Sequence, residues 1–145
     1  MDENNILPIM IKDHCKIEKL LDDLEENCEN DFVKMRKCFH KFEWELEKHI
    51  FTEEKAIFTS YSPADIKEGY KMLPELTSQH NYIVNQLNNW REEIKTQKKI
   101  SGIYDFKIFL SKHRIYEEKE VYPKLDKSLT EEEKQHIISK INEIV

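Results

Sequence analysis

Four stretches of this chain set their apolar residues at alternating steps of three and four, the spacing that keeps side chains on one face of an α-helix. Met10, His14, Ile17, Leu21, Leu24 and Cys28 make the first stripe, on a helix expected over roughly 8–29. Phe32, Met35, Phe39, Phe42, Leu46, His49, Glu53 and Ala56 make the second, over about 31–58, with Asn30 or Asp31 as its N-cap. Leu73, Leu76, His80, Ile83, Leu87, Trp90 and Ile94 make the third. Phe106, Phe109, His113, Glu117 and Glu120 make the fourth, with Ser101 as its expected cap and Tyr122-Pro123 as its expected end. Four such helices with short connections predict an all-α fold, an antiparallel up-down four-helix bundle over about 8–124. Ser62-Pro63 breaks the chain between the second and third helices, and Pro74 either kinks the third or marks its start. Thr130 to Glu133 has the form of a capping box and opens a short fifth helix over about 130–144. Its Ile137, Ile138, Ile141 and Ile144 should pack across one end or flank of the bundle.

Composition agrees with a single helical domain over 1–145. The chain holds only two glycines and four prolines, too few for a turn-rich β architecture. A formal net charge of -6 argues against nucleic acid or an anionic membrane as the main partner. No apolar run approaches the ~20 residues of a membrane span, and MDENNILPIM lacks the basic start of a signal peptide. The expected location is cytoplasmic. Cys15, Cys28 and Cys38 form no C-x-x-C pair and read as reduced, small hydrophobes. Tyr and Trp are too few to argue an interface, so the expected state is a monomer or a weak homo-oligomer.

The stripes are apolar except where they should be most buried. His14 lies at the edge of the first, His49 and Glu53 interrupt the second, His80 the third, and His113 and Glu117 the fourth. A buried imidazole or carboxylate without a partner costs several kcal/mol. Six of them aimed into one bundle must satisfy one another, and a metal centre does this for all of them together. The spacing supports convergence. HIFTEEKAIF, from His49, and HRIYEEKEVY, from His113, share H-x-x-x-E-E-K and end on an aromatic. Residues four apart lie on one helix face, about 6 Å apart along the axis. Each copy follows another histidine, 35 residues after His14 and 33 after His80. His40 and His136 fall out of phase and read as solvent-facing.

The pattern His14 … His49-x-x-x-Glu53 … His80 … His113-x-x-x-Glu117 resembles the hemerythrin-like, HHE cation-binding family. The resemblance implies a bundle holding two irons, bridged by Glu53 and Glu117 and by an oxo or hydroxo group. His14, His49, His80 and His113 would be the terminal metal ligands. Imidazole and carboxylate donors also suit manganese or zinc. Ferritin-like proteins use Glu-x-x-His instead, found here only at Glu133–His136. The chain departs from the oxygen carriers of the family. Leu76 and Val84 flank His80 where a fifth histidine would stand, and Glu118 occupies the place of an aspartate. Two coordination positions are then left for water or a small ligand, unless Glu45, Tyr116 or Glu120 reaches in.

The leading expectation is a non-haem di-iron protein binding oxygen or nitric oxide for storage, sensing or detoxification. Phe42, Leu46, Leu76 and Phe109 would keep water out. Enzymatic activity, as a nitric oxide reductase or a peroxidase-like protein, stays open, and no catalytic residue is assigned. The alternative from another class is iron handling, either donation for iron–sulfur repair or iron sensing. The third reading is a helical bundle without metal.

Overall fold

The expected stripes form the core of the structure, a computed structural model that describes residues 5–58 and 72–144. Helix α1 spans Ile6–Asn27, α2 Phe32–Thr52, α3 Leu73–Lys95 and α4 Ile103–Tyr116. A short α5, Tyr122–Ser128, and α6, Glu131–Ile144, complete the chain's helices among the described residues. No strand occurs among those residues, and none of their helices is long and apolar enough to cross a membrane. α1 packs on α2, α2 on α3, α3 on α4, and α4 back on α1, so the helical bundle closes on itself.

Local chemistry sets the boundaries. Asp31 caps α2, its carboxylate accepting the Val33 N–H at 2.9 Å. Pro74 sits in the first turn of α3, where a missing N–H costs nothing, so it marks a start rather than a kink. The Ser62-Pro63 break lies outside the described residues. Ser101 does not cap α4. Gly102 takes that place with a φ of 76°, a left-handed conformation that glycine adopts without strain. Ser101 instead donates its hydroxyl to Glu93 at 3.0 Å and accepts the Trp90 indole N–H at 2.7 Å.

The fourth stripe holds at Phe106, His113 and Glu117 but not at Phe109 and Glu120, whose places are taken by the next residues, Leu110 and Val121. Its buried residues are Phe106, Leu110, His113, Glu117 and Val121. Phe109 is only half-buried and packs against exposed Tyr82 with the rings tilted by 35°, and Glu120 is exposed. Nor does the helix end at Tyr122-Pro123. After α2 and after α4 the backbone widens into a π turn, Glu53–Ile57 and Glu117–Val121. The Phe58 N–H reaches the Glu53 carbonyl, and the Tyr122 N–H reaches that of Glu117. Such insertions in helices gather at functional sites. The second one places Pro123 in the first turn of α5, so the chain stays helical to Ser128.

Two apolar clusters fill the interior. The larger holds Ile17, Leu21, Phe42, Leu46, Ile83, Leu87, Trp90, Phe106 and Leu110. The smaller holds Ile6, Met10, Ala56, Ile57, Leu76, Val121, Tyr122 and Leu125, closed by Ile137 and Ile141 of α6. On every long helix a histidine falls between the two: Met10–His14–Ile17, Leu46–His49–Ala56, Leu76–His80–Ile83 and Leu110–His113–Val121. The cysteines are free. Cys28 is buried in the larger cluster, which pushes its thiol up to about 11, whereas Cys15 is exposed.

Two caps hold the end with the smaller cluster. The capping box is formed: Thr130 Oγ1 accepts the Glu133 N–H at 3.1 Å, and the Glu133 carboxylate accepts the Thr130 N–H at 2.9 Å. The second cap comes from far along the chain. Asp126 accepts the N–H of Ile6 at 2.8 Å and of Leu7 at 3.0 Å, tying the start of α1 to α5. Asp126→Ala is expected to cost about 1–2 kcal/mol of stability, measured as a lower urea midpoint. An unchanged midpoint would show that this cap carries no weight.

Candidate metal centre

The layer between the clusters is polar and nearly dry. His14, His49, His80, His113, Glu53 and Glu117 all lie in it, none more than 5% exposed and both glutamates fully buried. The imidazoles stand in two pairs. The ring centroids of His14 and His49 are 4.8 Å apart, and those of His80 and His113 are 5.2 Å apart. Each carboxylate reaches one ring of each pair. Glu53 Oε1 is 2.8 Å from His49 Nε2 and 3.4 Å from His80 Nε2. Glu117 Oε1 is 3.0 Å from His14 Nε2 and 3.3 Å from His113 Nε2. Two groups of donor atoms result, His14, His49 and Glu117 in one, and Glu53, His80, His113 and Glu117 in the other. Within each group the atoms lie inside 4.8 Å of one another.

The far side of each ring explains the orientation. His14 Nδ1 lies 2.7 Å from Glu118, His49 Nδ1 2.5 Å from Asp13, His80 Nδ1 3.1 Å from Glu54, and His113 Nδ1 2.5 Å from the Gln79 Oε1. A carboxylate can only accept, so Nδ1 of the first three rings carries the hydrogen. The Gln79 amide N–H donates to Glu75 at 3.1 Å, which turns its oxygen towards His113 and makes His113 a donor too. With Nδ1–H pointing out, a neutral His49, His80 or His113 presents its Nε2 lone pair inward, whereas His14 Nε2 lies within hydrogen-bond distance of Glu117 Oε1, at 3.0 Å. Consistent with this, Nε2 of His49, His80 and His113 and Oε1 of Glu53 are buried without a hydrogen-bond partner. Lone pairs facing lone pairs have no donor between them. A cation supplies what is missing, and imidazole and carboxylate are donors for iron, manganese or zinc. The residues present therefore fit a metal centre.

The electrostatics point the same way. Burial disfavours a charged imidazole, yet His14, His49 and His80 all stand above their ordinary pKa. Burial is the largest single influence at each, and only the neighbouring carboxylates together outweigh it: Glu117 and Glu53 at His14, Glu53, Asp13 and Glu117 at His49, and Glu53, Glu117 and Glu54 at His80. Burial would raise Glu117, but contact with Glu53 and the attraction of His113 hold it well below the usual carboxylate range. This layer draws positive charge.

One aromatic joins the layer from each copy of the repeat, in different roles. Phe58 stacks on His80 at 5.8 Å, with the rings 9° from parallel. Tyr122, its counterpart, is fully buried and donates its hydroxyl to Glu53, with Glu117 Oε2 3.3 Å away. Burial, then the two carboxylates, push the Tyr122 phenol well above its ordinary range, so it stays a donor.

The residues of the layer carry the signature of a known domain: a sequence model of the hemerythrin HHE cation-binding domain matches residues 5–125. The chain belongs to this family. A hemerythrin-like protein of Schizosaccharomyces pombe is 26% identical over 131 residues, 90% of this chain. The match covers 64% of that relative, so this chain spans less than two thirds of its length. No solved structure matches the chain.

All six residues singled out in this hemerythrin-like sequence meet in one layer, and His40 and His136 are exposed as expected. The three further candidates stay outside both donor groups. Glu45 pairs with Lys16 and Lys48, Glu120 with Lys124, and Tyr116 is half-buried at the edge of the smaller cluster. Phe42, Leu46 and Leu76 are buried as expected, and Phe109 lies towards the flank. Sequence reasoning missed Asp13, Glu54, Gln79, Glu118 and Tyr122. Each of the first four adjoins a residue of the layer in the chain, a signal that could have found them. Tyr122 comes five residues after Glu117, about 140° away around an ordinary α-helix, and the π turn brings it back. Tyr122→Phe leaves buried carboxylate oxygens without their donor. In metal-free protein it is expected to cost about 1–3 kcal/mol, read from urea denaturation, and an unchanged midpoint would remove the hydroxyl from this network.

Proposed function

We propose that the chain is a non-haem di-iron protein that binds a small diatomic ligand, oxygen or nitric oxide. One observation carries this reading: four imidazoles, each anchored outward at Nδ1, turn Nε2 towards two fully buried glutamates. His14 and His49 would hold one iron, His80 and His113 the other, with Glu53 and Glu117 bridging. Two imidazoles and two carboxylate oxygens leave each six-coordinate ion short of partners, and the iron would supply open positions and a redox couple. Manganese or zinc would suit the same donors. The bundle would run up-down-up-down, as the alternating order of the clusters along α1 to α4 suggests, and residues 1–145 would form one domain.

This chain's own residues set what such a site could do. Leu76 is buried where an oxygen carrier would place a fifth histidine, which favours chemistry or sensing over reversible carriage. Phe42, Leu46 and Leu76 exclude water from above and below the layer. The Tyr122 hydroxyl orients both bridging carboxylates and offers them a hydrogen bond. A cavity of about 560 Å³ between α1 and α4 reaches His14 and is walled by Ile17, Leu21, Ile108 and Leu110. It offers a small apolar ligand an approach. Arg114 stands at its rim, paired with Glu18 and Glu118.

Metal analysis of protein purified from iron-supplemented cells should find about two irons per chain, both lost in His49→Ala and in His113→Ala. Iron-free protein from aerobic and anaerobic preparations alike would end the di-iron reading. Mixing the reduced, loaded protein with each gas should change its visible spectrum. If neither gas does so while iron passes to an apo iron–sulfur protein, the iron-handling reading replaces gas binding.

A further inference from the structure

The outer partners of the four imidazoles are not equal. Three are carboxylates, on Asp13, Glu54 and Glu118, and the fourth is the neutral amide of Gln79. A carboxylate accepting from Nδ1–H pushes charge through the ring and strengthens Nε2 as a donor, whereas an amide offers only a dipole. The pair His14 and His49 has two such carboxylates, which are 16% and 28% exposed. The pair His80 and His113 has one, Glu54, and it is 42% exposed and more screened. The charge that His113 lacks stands one link further out, on Glu75, which holds the Gln79 amide.

Building on the dinuclear reading, we propose that the two ion positions differ in strength and that Gln79 is the positioning residue that sets the difference. The position formed by His80 and His113 holds its ion more weakly and releases it first. Changing a single outer partner shifts metal affinity by about 10–100-fold, enough to separate two ions that share both bridging carboxylates. A centre built this way keeps one ion fixed and leaves the other exchangeable.

Exchanging the two side chains tests this without altering net charge. In the double variant Glu75→Gln/Gln79→Glu, the carboxylate moves onto His113 and the amide moves outward. Zinc, which is diamagnetic, is loaded at two ions per chain, and its release to a chromogenic chelator is followed in time. The wild-type protein should release zinc in two phases. The His80 and His113 imidazole signals in nitrogen–proton spectra should change during the first. In the double variant the fast phase should slow by about 10–100-fold, and the His113 Nδ1–H resonance should move downfield as its acceptor becomes charged. Asp13→Asn provides the reverse arm and should speed the slow phase by weakening His49, whether or not the double variant folds. Two bound zinc ions leaving in a single phase would overturn the inequality alone. So would a fast phase unchanged by the exchange, or a slow phase unchanged in Asp13→Asn. Binding of only one zinc would overturn the dinuclear reading and this inference with it.

Discussion

The hydrogen bond from each imidazole Nδ1 to a side chain on the next helix holds this bundle's polar layer in place. Asp13 on α1 accepts from His49 on α2, and Glu54, just beyond α2, accepts from His80 on α3. Gln79 on α3 accepts from His113 on α4, and Glu118, just beyond α4, accepts from His14 on α1. The four bonds pass once around the bundle and close. Hydrogen bonds to charged groups are worth about 1.5–3 kcal/mol when partly buried, and less at Glu54, where solvent screens the charge. Their larger effect is on direction. A ring held at Nδ1 favours the orientation that aims its Nε2 at Glu53 and Glu117.

The price of such a layer is concentrated at the two glutamates. Fully buried carboxylates lose their hydration and need partners at every oxygen. Tyr122 serves the Oε2 atoms, and the imidazoles crowd the Oε1 atoms. The Nε2 atoms of His49, His80 and His113 and Oε1 of Glu53 are left unsatisfied, and a positive charge placed between them, a metal ion or protons on the rings, answers them. The apolar clusters above and below confine this need to one layer. A bundle of the same length with leucine at these six positions would join the clusters into one core and have no site.

The doubled H-x-x-x-E-E-K stretch gains its meaning from backbone geometry. Both copies begin a π turn at the glutamate of the pair. The extra residue rotates the next turn of helix, so that Phe58 and Tyr122 return to the layer instead of facing away. From equivalent places the two aromatics then diverge, Phe58 stacking on one imidazole and Tyr122 donating to both carboxylates. The repeat is thus symmetrical in its donors and asymmetrical in its surroundings, as it also is at Gln79.

Helical periodicity alone was enough to read an all-helical bundle and the six residues that meet in one layer, because burial on a helix is a matter of phase. Met10 to Cys28 and Leu73 to Ile94 are buried as their spacing requires. The family resemblance rests on the same six positions, and the domain match covers residues 5–125. Phase failed where the helix stopped being an ordinary α-helix. The Phe109 and Glu120 line, the expected stop at Tyr122-Pro123 and the place of Tyr122 all turn on a π turn or a register one residue away, and no local pattern marks either. The outer partners were missed for another reason, although each adjoins a residue of the layer in the chain. Asp13, Glu54, Gln79 and Glu118 look like ordinary solvated polar residues along their own helices, and their role exists only because a histidine on the neighbouring helix stands within hydrogen-bond reach. Sequence therefore determined which residues lie inside and in what layer, since that depends on spacing along one helix. Tertiary structure decided how each imidazole is turned and how strongly it can donate, since that depends on contacts between helices.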